Sequence, residues 1–189
     1  LCFDVFMDED QAIHLAYLTQ SQPNADPAGI YSTQKPLGRG WTVGQPVYTS
    51  PYFRTMDVTR AHVQVTAGVI TLESTQDESG QTEKQIYVAW DEPYLYRSMI
   101  NRSTDGSNYW PEPLEIDAIE VMSGSSMVFG SDLIVWNNQV LMVWKNQVSQ
   151  TDCEILYKTY DGAGDWSDDA PLYSSLTGCP AKSGFIAGL

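Results

Sequence analysis

The chain has 189 residues, with 24 acidic side chains against 10 basic ones and a formal net charge of −14. That balance speaks against nucleic acid and against anionic membrane surfaces, because both reward clustered Lys and Arg. Its plainest reading is a well-solvated surface. Hydrophobic residues make up 42%, enough for a packed core, and six Trp with eleven Tyr favour strands.

No apolar run approaches the roughly 20 residues of a membrane-spanning helix, so no membrane span is expected. The chain opens on Leu1 with no leader, which reads as a mature or excised piece. In chain order, one plan repeats. The first unit offers apolar pieces at Phe3 to Phe6, Ile13 to Tyr17 and Ile30 to Thr33, then a polar turn from Thr33 to Trp41, then Pro46-Val47. The second offers Val69 to Leu72, Ile86 to Trp90 and Ile100 to Ser103, a turn from Ser103 to Trp110, then Pro113-Leu114. A polar insert, Ser74 to Gln85, separates its first two pieces and reads as a surface hairpin extension or a mobile loop. The third offers Leu133 to Trp136, the hairpin signal Asn137-Asn138, Val140 to Trp144, Leu156 to Thr159, a turn from Thr159 to Trp166, and Pro171-Leu172.

Each unit therefore predicts four short strands in an antiparallel meander, with the proline on an outer strand that lacks a second partner. Unit boundaries fall at about 1–50, 51–118 and 119–175, and 176–189 reads as the start of a fourth unit. Gly and Pro punctuate too often for long helices. A four-stranded sheet of this size cannot bury both faces by itself. Stacking such sheets radially does so, and the fixed phase of the repeat favours a propeller over a sandwich.

The turns carry the repeat. Ser103, Asp105, Gly106 and Trp110 stand in the same relation as Thr159, Asp161, Gly162 and Trp166, and Thr33 to Trp41 is a fainter copy with Lys35 in place of the acid. An Asp side chain that accepts backbone N–H groups beside a Gly makes a tight turn, which the Trp can pin to the strands. These turns resemble the Asp-box, or BNR repeat, of sialidase-like β-propellers, departing from it where Ser107 and Ala163 replace a Gly. The resemblance implies an all-β propeller fragment of about three four-stranded blades and the start of a fourth. It also implies a structural role for Ser103, Asp105, Trp110, Thr159, Asp161 and Trp166.

In that arrangement ligands gather on the face opposite the boxes, in the loops Gln20 to Gly29, Tyr48 to Ala61, Asp91 to Tyr94, Asp117 to Ser131 and Asn146 to Cys153. The candidates for ligand contact are Tyr52, Arg54, Asp57, Arg60, Asp91 and Glu92. Phe53-Arg54 faintly resembles the Arg-bearing element of sialidases, but ordinary surface ion pairing is the commoner fate of such arginines. No catalytic group is assigned, and no cofactor is expected, because phosphate loops, Ser nucleophile elbows and Cys-x-x-Cys pairs are missing from the sequence. No metal is expected: His14 and His62 lack further ligands at metal spacing, and Asp161, Asp165, Asp168 and Asp169 fit no calcium loop. Cys153 and Cys179 are a candidate disulfide, and Cys2 is left to pack in the core.

Three roles fit these residues. The foremost is a secreted or cell-surface module that binds glycan or protein through its loop face. The second is a fragment of a sialidase-like glycoside hydrolase. The third is a structural propeller in a larger assembly. An open ring would further make the remaining blades of the same protein, or another chain, a partner.

Overall fold

The structure, a computed structural model, describes residues 2–20, 27–57, 62–72, 81–92, 97–103, 109–118, 129–147, 152–161 and 166–177. Among these residues, twelve strands form three four-stranded antiparallel sheets, each a meander in chain order. The first holds β1 (Phe3–Met7), β2 (Ile13–Thr19), β3 (Gly29–Lys35) and β4 (Gln45–Thr49). The second holds β5 (Val63–Leu72), β6 (Gln81–Glu92), β7 (Arg97–Ser103) and β8 (Leu114–Ala118). The third holds β9 (Phe129–Trp136), β10 (Gln139–Gln147), β11 (Asp152–Tyr160) and β12 (Ala170–Thr177). The chain is all-β, and its described residues close no ring. Residues from 178 on, expected to begin a fourth unit, lie outside the described ones.

Alternation decides which way each sheet faces. Along β6, Ile86, Val88 and Trp90 join a core cluster with Ala16, Leu18, Ile30 and Val47 of the first sheet. The alternate residues Tyr87 and Ala89 join a second cluster with Val140, Met142 and Trp144 of the third. Side chains of a strand point to opposite faces, so an unbroken apolar run marks a strand covered on both. The second sheet is thus packed between the other two. The first strands meet in succession: β5 touches β1 and β2, and β9 touches β5 and β6.

Local chemistry explains the connections. Asn137 and Asn138 take φ of 50° and 61°, a left-handed pair that suits the right-handed twist of the β9–β10 hairpin. Pro46 and Pro171 lie on β4 and β12, which are edge strands, where a missing N–H costs no ladder bond. Each pairing of a third strand with its fourth carries a register shift. Within the insert from Ser74 to Gln85, the described residues form a hairpin extension. Residues 81–85 pair with Leu72 back to Gly68, because β5 and β6 form a hairpin longer than the apolar pattern suggested. Gln85 is fully buried.

Gly68 of the second sheet lies directly against Val135 of the third. A Cβ there would fall inside the van der Waals envelope of Val135 on β9, at its Cβ and Cγ1. Gly68→Ala is therefore expected to cost about 1–3 kcal/mol of overpacking, read as a lower thermal midpoint. Adding Val135→Ala should restore part of that loss, whereas an additive double variant would contradict the clash.

Candidate functional site

The loop-end candidates divide into a buried set and an exposed set. Pro51–Arg54 is a single 3-10 turn, capped by Ser50, whose Oγ accepts the Tyr52 N–H at 3.3 Å. The Gln20 side-chain amide donates to the carbonyls of Phe53 and Met56 at 3.3 and 2.9 Å, tying the turn to the end of β2. Phe53 is fully buried, edge-on to Tyr52 and to Tyr48, and Tyr48 stacks on Trp90 at 5.5 Å. The Trp90 indole N–H donates to Glu92 at 3.2 Å. Tyr52 and Glu92 are thus linked through three intervening rings. Arg54 on the turn and Asp57 just after it are both exposed and lie off this series of rings, and Arg60 lies outside the described residues.

Asp91 and Glu92 were expected in a loop. They instead finish β6, paired with Ser98 and Arg97, because the β6–β7 hairpin runs further than its apolar core. Both are 1% exposed. His62 Nδ1 lies 3.9 Å from Asp91, and the backbone N–H of Asp91 donates to the His62 carbonyl. Nearer β1, Asp4 accepts the Val65 N–H at 2.9 Å, and burial raises its carboxyl above the ordinary value. The thiol of Cys2, which is in no disulfide, is pushed by burial up to about 11, so it stays protonated at neutral pH.

The described cleft lies elsewhere, between the second and third sheets at the end that carries the polar turns. It encloses about 220 Å³ and is lined by Tyr87, Ile100, Asn101, Arg102, Pro111, Glu112, Tyr160 and Trp166. The rings of Tyr160 and Trp166 stack at 5.3 Å with 24° between planes. Arg102 spans the cleft: its guanidinium donates to the Tyr160 hydroxyl at 2.6 Å and sits 5.4 Å from that ring's centroid. At the floor, the Tyr87 hydroxyl donates to Gln85, and burial holds the Tyr87 phenol well above its ordinary value despite the nearby Arg102. Asn101 donates to the carbonyls of Val47 and Pro111 at 3.1 and 2.7 Å, stapling the wall to the first sheet.

This cleft uses the turn residues and not the loop-face residues. Trp166 packs against the core between the second and third sheets, and Trp110 packs equivalently against the core between the first and second. Ser103 is buried, Thr159 half-buried and Asp161 exposed, while Asp105 lies outside the described residues. A second repeated device emerges just after the Trp. Thr42 N–H donates to the Gln34 carbonyl at 2.8 Å and its Oγ1 accepts the Gln34 N–H at 3.0 Å. Ser167 N–H donates to the Thr159 carbonyl at 2.9 Å, and its Oγ accepts the Thr159 N–H at 3.0 Å. The hydroxyl following Trp41 and Trp166 was visible in sequence, but Pro111 after Trp110 hides the pattern.

Two further placements bear on the sequence reading. Cys153 is buried and disulfide-bonded; Cys179, its expected partner, lies outside the described residues. His14 is fully buried and bonds Asp8 at 2.7 Å. Lys84 on β6 pairs with that same Asp8 and with Asp10 at 2.9 Å, so the β1–β2 turn is bound to the second sheet. No group of three His, Cys, Asp or Glu among the described residues could hold a metal ion. No helix among them is long and apolar enough to cross a membrane.

No family model matches the chain, and no curated protein matches it. Among solved structures it is similar to an exo-beta-1,3-galactanase from Clostridium thermocellum, at 11% identity and a TM-score of 0.36. That likeness covers 92% of this chain and 48% of the other, so the chain spans about half the length of that protein.

Proposed function

We propose that this chain is part of an Asp-box β-propeller that binds a carbohydrate in the cleft between its second and third sheets. Support for the propeller comes from the succession of sheets, with β1, β5 and β9 in sequential contact. The matching seats of Trp110 and Trp166 support the box reading. A secreted or cell-surface setting is part of the same proposal, favoured by the disulfide at Cys153, since such bonds persist in oxidising compartments.

One observation carries the ligand class: Tyr160 and Trp166 stack beside Arg102 in an open cleft. The face of a sugar ring is rich in C–H groups and packs on aromatic planes, while its rim of hydroxyls needs directed polar groups. Arg102 and Glu112 supply donors and acceptors at the edge of the platform. At about 220 Å³ the cleft is smaller than the usual drug-sized pocket, so it suits one sugar ring of a longer chain. By register the counterpart of Arg102 in the first sheet is Gln34, opposite His14 as Arg102 is opposite Tyr87, so the first junction lacks the guanidinium.

Oligosaccharide titration followed by Trp fluorescence tests the reading. Arg102→Leu and Trp166→Ala are each expected to weaken binding about tenfold or more, near 1.4 kcal/mol, with circular dichroism unchanged. Silence of the unmodified protein across neutral and acidic glycans would remove the proposal. Equal binding by wild type and both variants would move the site away from this cleft.

A further inference from the structure

We infer that the cleft selects a sugar ring carrying an exocyclic hydroxymethyl arm, read at the floor by the Tyr87 hydroxyl with Gln85 as its positioning residue. This selection presupposes the carbohydrate reading of the cleft and narrows it to certain sugars. β6 places both residues. Its alternation sends Ile86, Val88 and Trp90 toward the first sheet, so Gln85 and Tyr87 face the third together with Ala89. Tyr87 is 1% exposed and Gln85 is fully buried, yet Tyr87 lines the cleft. Burial raises its phenol, and the Arg102 guanidinium beside it pulls the other way. Arg102 lines the same cleft, which puts the hydroxyl at the cleft floor and not behind it. Burial prevails, so the phenol keeps its proton at neutral pH.

The Gln85 amide decides what that phenol recognises. Its oxygen takes the Tyr87 proton. Its nitrogen, on the same carbon, is buried and has no hydrogen-bond partner among the described residues. Turning the amide over therefore breaks no other bond, and the nitrogen then donates to the phenol oxygen. In one setting the phenol shows the cleft a lone pair, and in the other it shows its O–H. A sugar hydroxyl, donor and acceptor at once, matches both settings, whereas a carboxylate or a ring ether matches only the second. An apolar group at the floor would desolvate the phenol oxygen and return nothing.

Reach selects the hydroxymethyl group. The cleft holds about 220 Å³, one ring, and that ring's face lies on the platform of Tyr160 and Trp166. Its secondary hydroxyls then radiate along the rim, toward Arg102 and Glu112. The hydroxymethyl oxygen stands one carbon further out, on a bond that turns among staggered settings. Such a slender arm suits a floor residue so little exposed. The device belongs to this cleft: at the first junction His14 stands where Tyr87 does, opposite Gln34, and Ala12 two residues earlier has no amide.

The probes are the methyl glycosides of glucose, galactose and mannose. Each is set beside the pentopyranoside that is the same ring without its hydroxymethyl arm: xyloside, arabinopyranoside and lyxoside. Saturation-transfer NMR detects binding as weak as a single ring gives. At least one hexoside is expected to bind about tenfold or more tighter than its pentose match, the scale of one directed hydrogen bond to a buried group. Gln85→Met, close to glutamine in volume, and Tyr87→Phe should each bring that ratio toward one. A purely structural loss would weaken both members alike, and a ratio left unchanged in both variants would overturn the assignment. Hexosides and pentosides bound equally by the unsubstituted protein would also overturn it, a result that needs no variant to fold and leaves the carbohydrate reading standing. Silence of all six glycosides would instead remove the carbohydrate reading, and this selection with it.

Discussion

Truncation of Trp90 to alanine is expected to remove about 3–5 kcal/mol of stability, much of what a domain of this size possesses. The indole is 1% exposed and fills the junction between the first and second sheets. Its loss leaves a cavity that stiff neighbours such as Val63 and Val88 cannot collapse to fill. It also withdraws the ring on which Tyr48 stacks, and through Tyr48 the seat of Phe53. The 3-10 turn bearing Tyr52 and Arg54 should therefore loosen together with the core, visible as faster hydrogen exchange over Ser50 to Met56. Urea unfolding gives the stability change.

The milder substitutions separate packing from hydrogen bonding. Trp144 holds the equivalent place in the third sheet, also 1% exposed, but its indole N–H has no hydrogen-bond partner among the described residues. Trp90 donates to the buried Glu92. Trp90→Phe removes a donor from a buried carboxylate, which adds about 1–3 kcal/mol to the packing loss. Trp144→Phe removes an N–H that makes no bond and should cost less, although Lys158 near that ring loses part of its attraction. Equal losses at the two positions would contradict the role given to Glu92.

The legible and illegible parts of this chain divide along physical lines. Alternation is local, so Ile86 to Trp90 and Val140 to Trp144 announce strands covered on both faces, and Asn137-Asn138 announces its own hairpin. The cleft is not local. Arg102 meets Tyr160 across 58 residues of sequence, and only the packing of the second sheet on the third brings them together. The same holds for Lys84 and Asp8. Acidic excess reads as solvation when charges are merely counted, yet Asp8, Asp91, Glu92 and Asp132 are buried. Neither Asp91 nor Glu92 carries a local sign of this, because strand ends and loops share their polar composition.

Asp8→Ala is expected to cost about 2–4 kcal/mol at pH 7, because three groups lose one acceptor. The carboxylate takes the Ala12 N–H at 2.9 Å, bonds His14 and pairs with Lys84, all within a side chain only 3% exposed. Breaking a buried pair by deleting one partner leaves the others desolvated and unsatisfied. The figure stays at the modest end because Lys84 keeps a third of its surface in water and retains Asp10. Acid should erase the difference between wild type and variant. Burial works to raise the Asp8 carboxyl, but the bonds from His14, Lys84 and Ala12 outweigh it and hold the carboxyl below its ordinary value of 3.8. A carboxyl lowered by folding stabilises the native state above its unfolded value, and that contribution drains away as pH falls through the folded one. Asp4 runs the other way: burial raises it, so its charging opposes folding as pH rises and total stability hides part of the effect. The difference between wild type and Asp8→Ala isolates Asp8. Measured by urea unfolding from pH 7 to pH 2, that gap should be steady down to about pH 4 and then narrow. A gap that persists unchanged at the acid end would mean that Asp8 contributes by shape and not by charge.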